Sequence, residues 1–579
     1  MRSGPDLLSA VRKSVRGSEL WLVFVAACVG LLAAWATVLQ STVAHSMQQW
    51  LFGLGPGQRL SAQHHVPLLT LPVLPLGGAV LALFTWAVKG RSRPLVDAVE
   101  ANALHGGRMS ARDSLIVSGQ TVLSNGFGAS VGLEAAFVQV GGAAGSLVGR
   151  ALQLRRSDLR TLVGAGAGAA MATAFGGPLT GAFYAFEIVL GAYTPTALAP
   201  VAAACLVAVQ FSSRLGFPSY LISTAPTVAL GGGDLAATIL LALICALFGI
   251  VLMRVVGWTD MLIRRLRVPP AIKPIIGGAL LIPLALVTPQ ALSSGHGALS
   301  ADLVTGLSLG AVGLLILVKS AASITSLSFG FRGGLFFASL FLGALIGHAY
   351  SDAAAWVYGH QVINAEEASL VGMAALAVAV VGGPLTMAML VLEATHNFGL
   401  TTLAIAAALV CNTLVRSLFG YSFSTWRLHL RGETIKSARD VGWMRTLTAG
   451  SMMRRDVRTA PASLPLREFR SRFPLGVTSR VVLLDEAGHY AGMVSPVAAH
   501  ARPQDDESPV SSLAVNVDRS VRTGSSITRV MRTFDAAHTD DLAVVDDAGA
   551  VVGVITDAHV RRRYAEELDK SHRELFGEG

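Results

Sequence analysis

Apolar runs of about twenty residues recur along this chain, and they decide most of what it can become. At 1.5 Å per helical residue, about twenty residues cross the roughly 30 Å hydrocarbon core of a bilayer. Such runs fall at residues 20–39, 66–88, 159–192, 235–258, 272–287, 303–327, 335–349, 370–392 and 400–418. With 52% hydrophobic and 14% charged residues, the chain reads as an all-α polytopic membrane protein. Glycine and proline interrupt several runs, which predicts broken helices rather than uniform rods. Irregular backbone at membrane depth is tolerated where protein or a polar cavity satisfies it.

The formal charge of +9 gathers in short basic segments, Arg2, Arg12, Lys13 and Arg16 at the start and Arg264, Arg265, Arg267 and Lys273 mid-chain. Basic flanks of membrane spans face the cytoplasm, and with no nucleic-acid motif present, nucleic acid is not an expected partner. The first apolar run follows a basic lead-in, as a signal peptide would. It is too long for such a segment and lacks a small-residue cleavage site, so it is read as a retained span. Cys28, Cys205, Cys245 and Cys411 lie singly in apolar runs, which indicates packing and neither a disulfide framework nor a metal site. The neighbouring His64 and His65, between the first two spans, read as solvated loop.

The chain repeats itself. GGPLT occurs at Gly176 to Thr180 and at Gly382 to Thr386, and each proline is followed nine residues later by a glutamate, Glu187 or Glu393. The flanks are alike, AAMATAFGGPLT against AALAVAVVGGPLT, and upstream AGSLVG ending at Gly149 resembles GALIG ending at Gly347. Two similar membrane halves suit a transporter with its site at the interface of the repeats. A glutamate present in both halves suggests architecture, a contact from each to a helix end or a basic loop.

Glu134 is different. It lies in SNGFGASVGLEAAFVQVGGAAGSLVGR, a glycine-rich, apolar stretch of otherwise uncharged residues up to its final arginine. A carboxylate at membrane depth is costly unless it faces a polar cavity or a partner, so Glu134 is the leading functional candidate. Gly126, Gly128, Gly132, Gly141, Gly142, Gly145 and Gly149 around it permit backbone bends and close helix contact. Helix N-termini beginning near such bends carry free amides and a favourable dipole for an anion.

Beyond about residue 430 charge becomes frequent and apolar residues alternate, as in RVVLLDEAGHYAGMVSP and DDLAVVDDAGAVVGVITDAHVRRR. Each reads as strand, turn, strand and helix. The expected organisation is a lead-in at 1–18, a membrane domain at 19–432 with repeats at about 19–225 and 235–432, a linker at 433–447, a paired α/β module at 448–565 and a tail at 566–579.

These motifs resemble the CLC family of chloride channels and chloride/proton antiporters over nearly the whole chain. GASVGLEAAFVQVGG is similar to the family's GREGP segment, the two GGPLT segments to its paired helices, and the tail to paired CBS domains. The resemblance implies an inverted-repeat subunit of many broken and tilted helices, a homodimer, and one anion pathway per subunit. It implies a bacterial inner-membrane location with both termini cytoplasmic.

Residue by residue, Glu134 falls on the family's gating glutamate, in the frame GLEAA. The GSGIP motif appears as GRSRP, placing Arg91 at the anion-coordinating serine position, with Ser92 one residue away. GxFxP appears as GLFFA, which retains Phe336, and the coordinating tyrosine aligns with Ser424, with Tyr421 three residues before it. Candidate anion-binding residues are therefore Gly132, Leu335, Phe336, Ser424, Arg91 and Ser92. The family's inner proton glutamate is replaced by Ile188, and Glu187 beside it points about 100° away on a helix.

The expected function is transport of chloride or another small anion through a path gated by Glu134. The carboxylate competes with the anion for the same donors, protonation frees the site, and coupling to protons is weak or absent. Chloride/proton antiport is the alternative. No enzyme activity or metal is expected. A nucleotide at the CBS pair has no sequence support, because the usual aspartate positions hold Ala498 and His559. SSGHG at Ser293 to Gly297 raises an intramembrane hydrolase as a remote alternative, with a loop as the plainer reading.

Overall fold

The computed structural model describes residues 19–63, 65–88, 96–217, 234–302, 307–423, 425–426, 447–501 and 506–576. The chain forms two compact units, Met1–Asp440 and Val441–Gly579.

The described part of the first unit is helical. In order it contains α1 (Glu19–Phe52), α2 (Val73–Ala87), α3 (Ala98–Leu104), α4 (Ala111–Gly126), α5 (Glu134–Ala151), α6 (Arg156–Phe175), α7 (Pro178–Tyr184) and α8 (Pro195–Arg214). The second half follows as α9 (Asp234–Arg265), α10 (Lys273–Val287), α11 (His296–Asp302), α12 (Leu309–Ser328), α13 (Phe336–Tyr358), α14 (Ala365–Val381), α15 (Pro384–Thr395) and α16 (Phe398–Leu418). Among the described residues, six helical segments are long and apolar enough to cross a membrane: α1, 68–87, α8, α9, α12 and α16. Their exposed faces carry Trp35, Leu83, Leu206, Leu247 and Leu317, side chains suited to lipid.

The apolar runs are broken where glycine and proline predict it. The run at 159–192 becomes α6, α7 and a π-helical turn at Ala185–Leu190, with Gly176 left-handed at the first break. The run at 370–392 divides between α14 and α15, where Gly382 and Gly383 both take positive φ and Pro384 starts the next helix.

The two halves are related by reciprocal contacts. A Cβ on Gly78 of α2 would overlap the Pro274 carbonyl at the start of α10, and one on Gly278 of α10 would overlap the Leu74 carbonyl in α2. The α5–α6 and α13–α14 pairs pack in the same way, through Gly145 against the Leu162 carbonyl and Gly347 against the Ala368 carbonyl. This corrects the repeat register read from sequence. Gly347 corresponds to Gly145, eleven residues into its helix, and not to Gly149, one helical turn later. The architecture is an inverted repeat of broken helices.

Glu187 and Glu393 make the helix-end contacts expected of them. Glu393 accepts from the amides of Leu179 (2.7 Å) and Thr180 (2.8 Å) and from Thr180 Oγ1 (2.6 Å), at the start of α7. Glu187 does the same at α15, from Leu385 N (3.1 Å), Thr386 N (2.8 Å) and Thr386 Oγ1 (2.7 Å). Each half thus caps the other half's broken helix.

The second unit holds two three-stranded sheets of the same topology. The first has β1 (Thr459–Pro461) parallel to β2 (Val481–Leu484), with β2 antiparallel to β3 (Tyr490–Val494). In the second, β4 (Ser520–Arg522), β5 (Asp541–Val545) and β6 (Val551–Thr556) repeat that order, with an irregularity at the corresponding place in the middle strand. Val482 and Met493 of one copy share a small apolar core with Ala543 of the other.

Candidate anion site

Two helix N-termini meet at the centre of the repeat. Gly132 N donates to the Gly334 carbonyl (3.0 Å) and Gly334 N donates to the Gly132 carbonyl (3.3 Å), a two-residue antiparallel bridge just before α5 and α13. Each approach segment is anchored by a serine from the opposite half. Arg332 N donates to Ser124 Oγ (2.9 Å), and Ser130 N donates to Ser326 Oγ (2.9 Å). The leading amides of each helix have no carbonyl a turn earlier to meet, although Ala136 N already donates to the Leu133 carbonyl (2.8 Å), so two positive dipole ends converge on one place.

A cavity of about 120 Å³ lies there, lined by Glu134, Ala135, Leu335, Phe336, Tyr184 and Arg332 among others. Two of the sequence-predicted ligands, Leu335 and Phe336, are brought to it. Phe336 is held by Phe175 (centroids 5.2 Å apart) and by Tyr184 (6.2 Å). Gly132 stands one step outside the lining, beneath the gate. A Cβ on Gly132 would overlap Glu134 Oε2, so the carboxylate folds back over this residue. Both Glu134 oxygens are buried and have no hydrogen-bond partner among the described residues. Arg91, Ser92 and Ser424 lie outside the described residues.

Ile188 belongs to a second cavity, of about 80 Å³, together with Glu187, Arg416, Tyr421 and Thr425. Val99 and Val381 line both cavities, so the wall between them is apolar. Glu187 borders this space, but both its carboxylate oxygens are engaged at α15.

Several residues at the site were not singled out from sequence. Tyr184, eight residues after Gly176, and Arg332, two residues before Gly334, both line the central cavity. The SSGHG segment is irregular at 292–295, as a loop is, and it is buried: Ser293, Ser294 and His296 are all covered and α11 starts at His296. Lys319 Nζ donates to the carbonyls of Ser293 (2.8 Å) and Ala291 (3.2 Å) and ties the turn down. Ser294 Oγ contacts His296 Nδ1, and neither residue lines the central cavity. The first interhelical loop is also only partly solvated. His65 is exposed, whereas Leu60 and Ser61 are buried and Gly297 N donates to Ser61 Oγ (3.0 Å). His64 lies outside the described residues. Among the described residues no cluster of His, Cys, Asp or Glu could hold a metal ion.

An inverted-repeat, multi-pass helical protein with two helix N-termini and a buried carboxylate around a central cavity defines a membrane transporter whose site is built for an anion. The sequence profile described as "Voltage gated chloride channel" matches residues 86–416, more than half of the chain, and that of the CBS domain matches residues 513–566. The chain belongs to the voltage-gated chloride channel (CLC) family, whose members are transporters and channels rather than enzymes, and it carries a C-terminal CBS domain. A ClcB-like chloride channel protein of Ralstonia nicotianae is 29% identical over 65% of this chain and 89% of its own length. The voltage-gated ClC-type chloride channel ClcB of Salmonella typhi is 27% identical over 68% and 96%. Among solved structures, a slow cyanobacterial Cl−/H+ antiporter matches 72% of this chain and 99% of its own, with TM-score 0.62 and 22% identity. A eukaryotic CLC transporter matches 95% and 98%, with TM-score 0.57 and 16% identity.

Proposed function

We propose that this protein carries chloride through the cavity between the N-termini of α5 and α13, with Glu134 as the gate and with little or no coupling to protons. The observation that carries the reading is the Glu134 carboxylate, buried without a hydrogen-bond partner among the described residues and facing the cavity where an anion would take the same amides. Arg332 adds a fixed positive charge to the wall, while the amides of Leu335 and Phe336 are the direct donors. Weak coupling rests on Ile188 at the second cavity, since an isoleucine carries no proton and Glu187 is engaged elsewhere. Anion conduction also needs release, which favours dipoles and amides over a full charge at the ligand position.

Proton-coupled antiport is a second reading, favoured by the 80 Å³ space at Ile188, which is large enough for water to replace a side-chain carrier. The protein would act as a homodimer in a bacterial plasma membrane with both termini cytoplasmic. The first copy of the C-terminal unit, by its matching topology, would be a CBS module as well, completing the pair at 448–565. With Ala498 and His559 at the aspartate positions, that pair would serve in assembly rather than as a nucleotide sensor.

The test is chloride efflux from liposomes under a chloride gradient, recorded together with external pH, for the wild type and Glu134→Gln. Chloride movement without proton movement, altered in the variant, is the expected result. Protons moving in fixed ratio to chloride would establish the antiporter, and no chloride movement would remove chloride as the substrate.

A further inference from the structure

The gate has a neighbour that no part of the anion site requires. His296 Nε2 lies 3.9 Å from Glu134 Oε1, with the two side chains only 6% and 4% exposed. The imidazole is fixed on its other sides. Nδ1 meets Ser294 Oγ, and the ring stacks on Phe337 of α13 with centroids 3.5 Å apart. Its turn is fixed as well. Gln48 Nε2 donates to Ser293 Oγ (3.0 Å), Ser293 N donates to the Gly128 carbonyl (3.1 Å), and Lys319 binds the Ser293 carbonyl. A ring held on these sides beside the Glu134 carboxylate is placed to act on it.

A neutral histidine accepts at one ring nitrogen and donates at the other. If the Ser294 hydroxyl donates to Nδ1, the proton of the ring sits on Nε2, facing Glu134. The gap exceeds a direct hydrogen bond, and about 0.8 Å of carboxylate movement closes it. An ionised carboxylate gains a charge-assisted hydrogen bond there, whereas a protonated one gains about half as much.

We propose that His296 is a positioning residue for the gate, a latch whose Nε2–H holds the ionised Glu134 carboxylate over Gly132 and releases it on protonation. This rests on the reading of Glu134 as the gate of an anion path. The other charged or titratable groups that act on His296 are His45 of α1, Arg59 of the following loop and Lys319 of α12. Asp97, Tyr184 and Arg332 face Glu134 around the cavity.

The test uses the full-length protein in liposomes, with chloride efflux measured from acid to alkaline pH. His296→Gln keeps a donor near the Nε2 position, His296→Asn keeps the Ser294 contact only, and His296→Phe keeps only the stack on Phe337. The latch predicts that Asn and Phe raise alkaline efflux by about tenfold to a hundredfold, the scale of one charge-assisted hydrogen bond, and so flatten the pH profile. Gln retains the wild-type profile, and in a Glu134→Gln background none of the three changes it further. A wild-type profile for Asn together with an altered one for Gln would overturn the latch, as would an equal effect of Asn with and without Glu134. An equal shift from His45→Asn would overturn it too, by placing the titration elsewhere. If Glu134→Gln alters efflux while all His296 variants follow the wild type, the latch alone fails. If neither the wild type nor Glu134→Gln moves chloride, the gate reading fails with it.

Discussion

Removing the reciprocal caps should weaken the membrane unit by nearly the same amount on either side. In Glu393→Ala, the amides of Leu179 and Thr180 and the Thr180 hydroxyl lose one acceptor, and in Glu187→Ala their counterparts at α15 do. Hydrogen bonds to a charged group contribute about 1.5–3 kcal/mol each, and the helix dipole adds roughly 0.3–1 kcal/mol. Both glutamates are half-buried, so water recovers part of this, and about 3 kcal/mol per site is the expected loss. At under about 2 °C per kcal/mol for a unit of this size, each variant should melt roughly 5 °C lower. The assay is thermal unfolding in detergent followed by tryptophan fluorescence, with efflux and pH recorded on the same preparations. Because α7 and α15 pack together, a double-variant loss differing from the sum by more than about 0.5 kcal/mol would report coupling between the caps. An unchanged melting temperature in Glu187→Ala, accompanied by loss of proton movement, would refute the capping argument and make Glu187 a proton carrier.

Gly347→Ala should cost about 1–3 kcal/mol by overpacking, because its Cβ would strike the Ala368 carbonyl, while Gly310→Ala on open surface should be neutral or slightly stabilising; melting temperatures compare them. Gly132→Ala should push the Glu134 carboxylate off its resting place and raise alkaline chloride efflux several-fold without unfolding the protein, and an unchanged pH profile would contradict the placement of the gate. Arg332→Gln should lower apparent chloride affinity several-fold, with the difference shrinking in high concentrations of an impermeant salt, as read from efflux against chloride concentration.

The sequence disclosed the features that act locally. A lone glutamate among apolar residues marks itself by its cost, and glycine-proline breaks announce where α6 and α14 must stop. The repeated GGPLT-to-glutamate spacing even carries the capping pair, although only the structure shows that the partners are exchanged between halves. Other features depend on packing. The register of Gly145 with Gly347 is set by which helix face meets which carbonyl, and matching letters misplaced it by one turn. Tyr184, Arg332 and His296 lie far from Glu134 along the chain, and Arg332 and His296 reach it from the other half, so no local pattern ties them together. SSGHG reads as a loop from its glycine and serine, but its burial depends on distant partners, since Gln48 binds the Ser293 hydroxyl and Lys319 the Ser293 carbonyl.

The function follows from where the symmetry fails. The bridge, the anchoring serines and the caps treat the two halves alike, and they build two equivalent helix N-termini facing one cavity. At the first position of those helices, however, one half has Glu134 and the other Phe336, and two residues before each bridging glycine one has Ser130 and the other Arg332. A symmetric pair of dipoles alone would hold an anion without regulating it. Placing an ionisable group on one helix and a phenyl ring on the other gives the site a competitor for the anion on one side only. Arg332 lines the same cavity as that competitor. On the proposed reading, the shared scaffold supplies binding and the ionisable side of the broken equivalence supplies the gate.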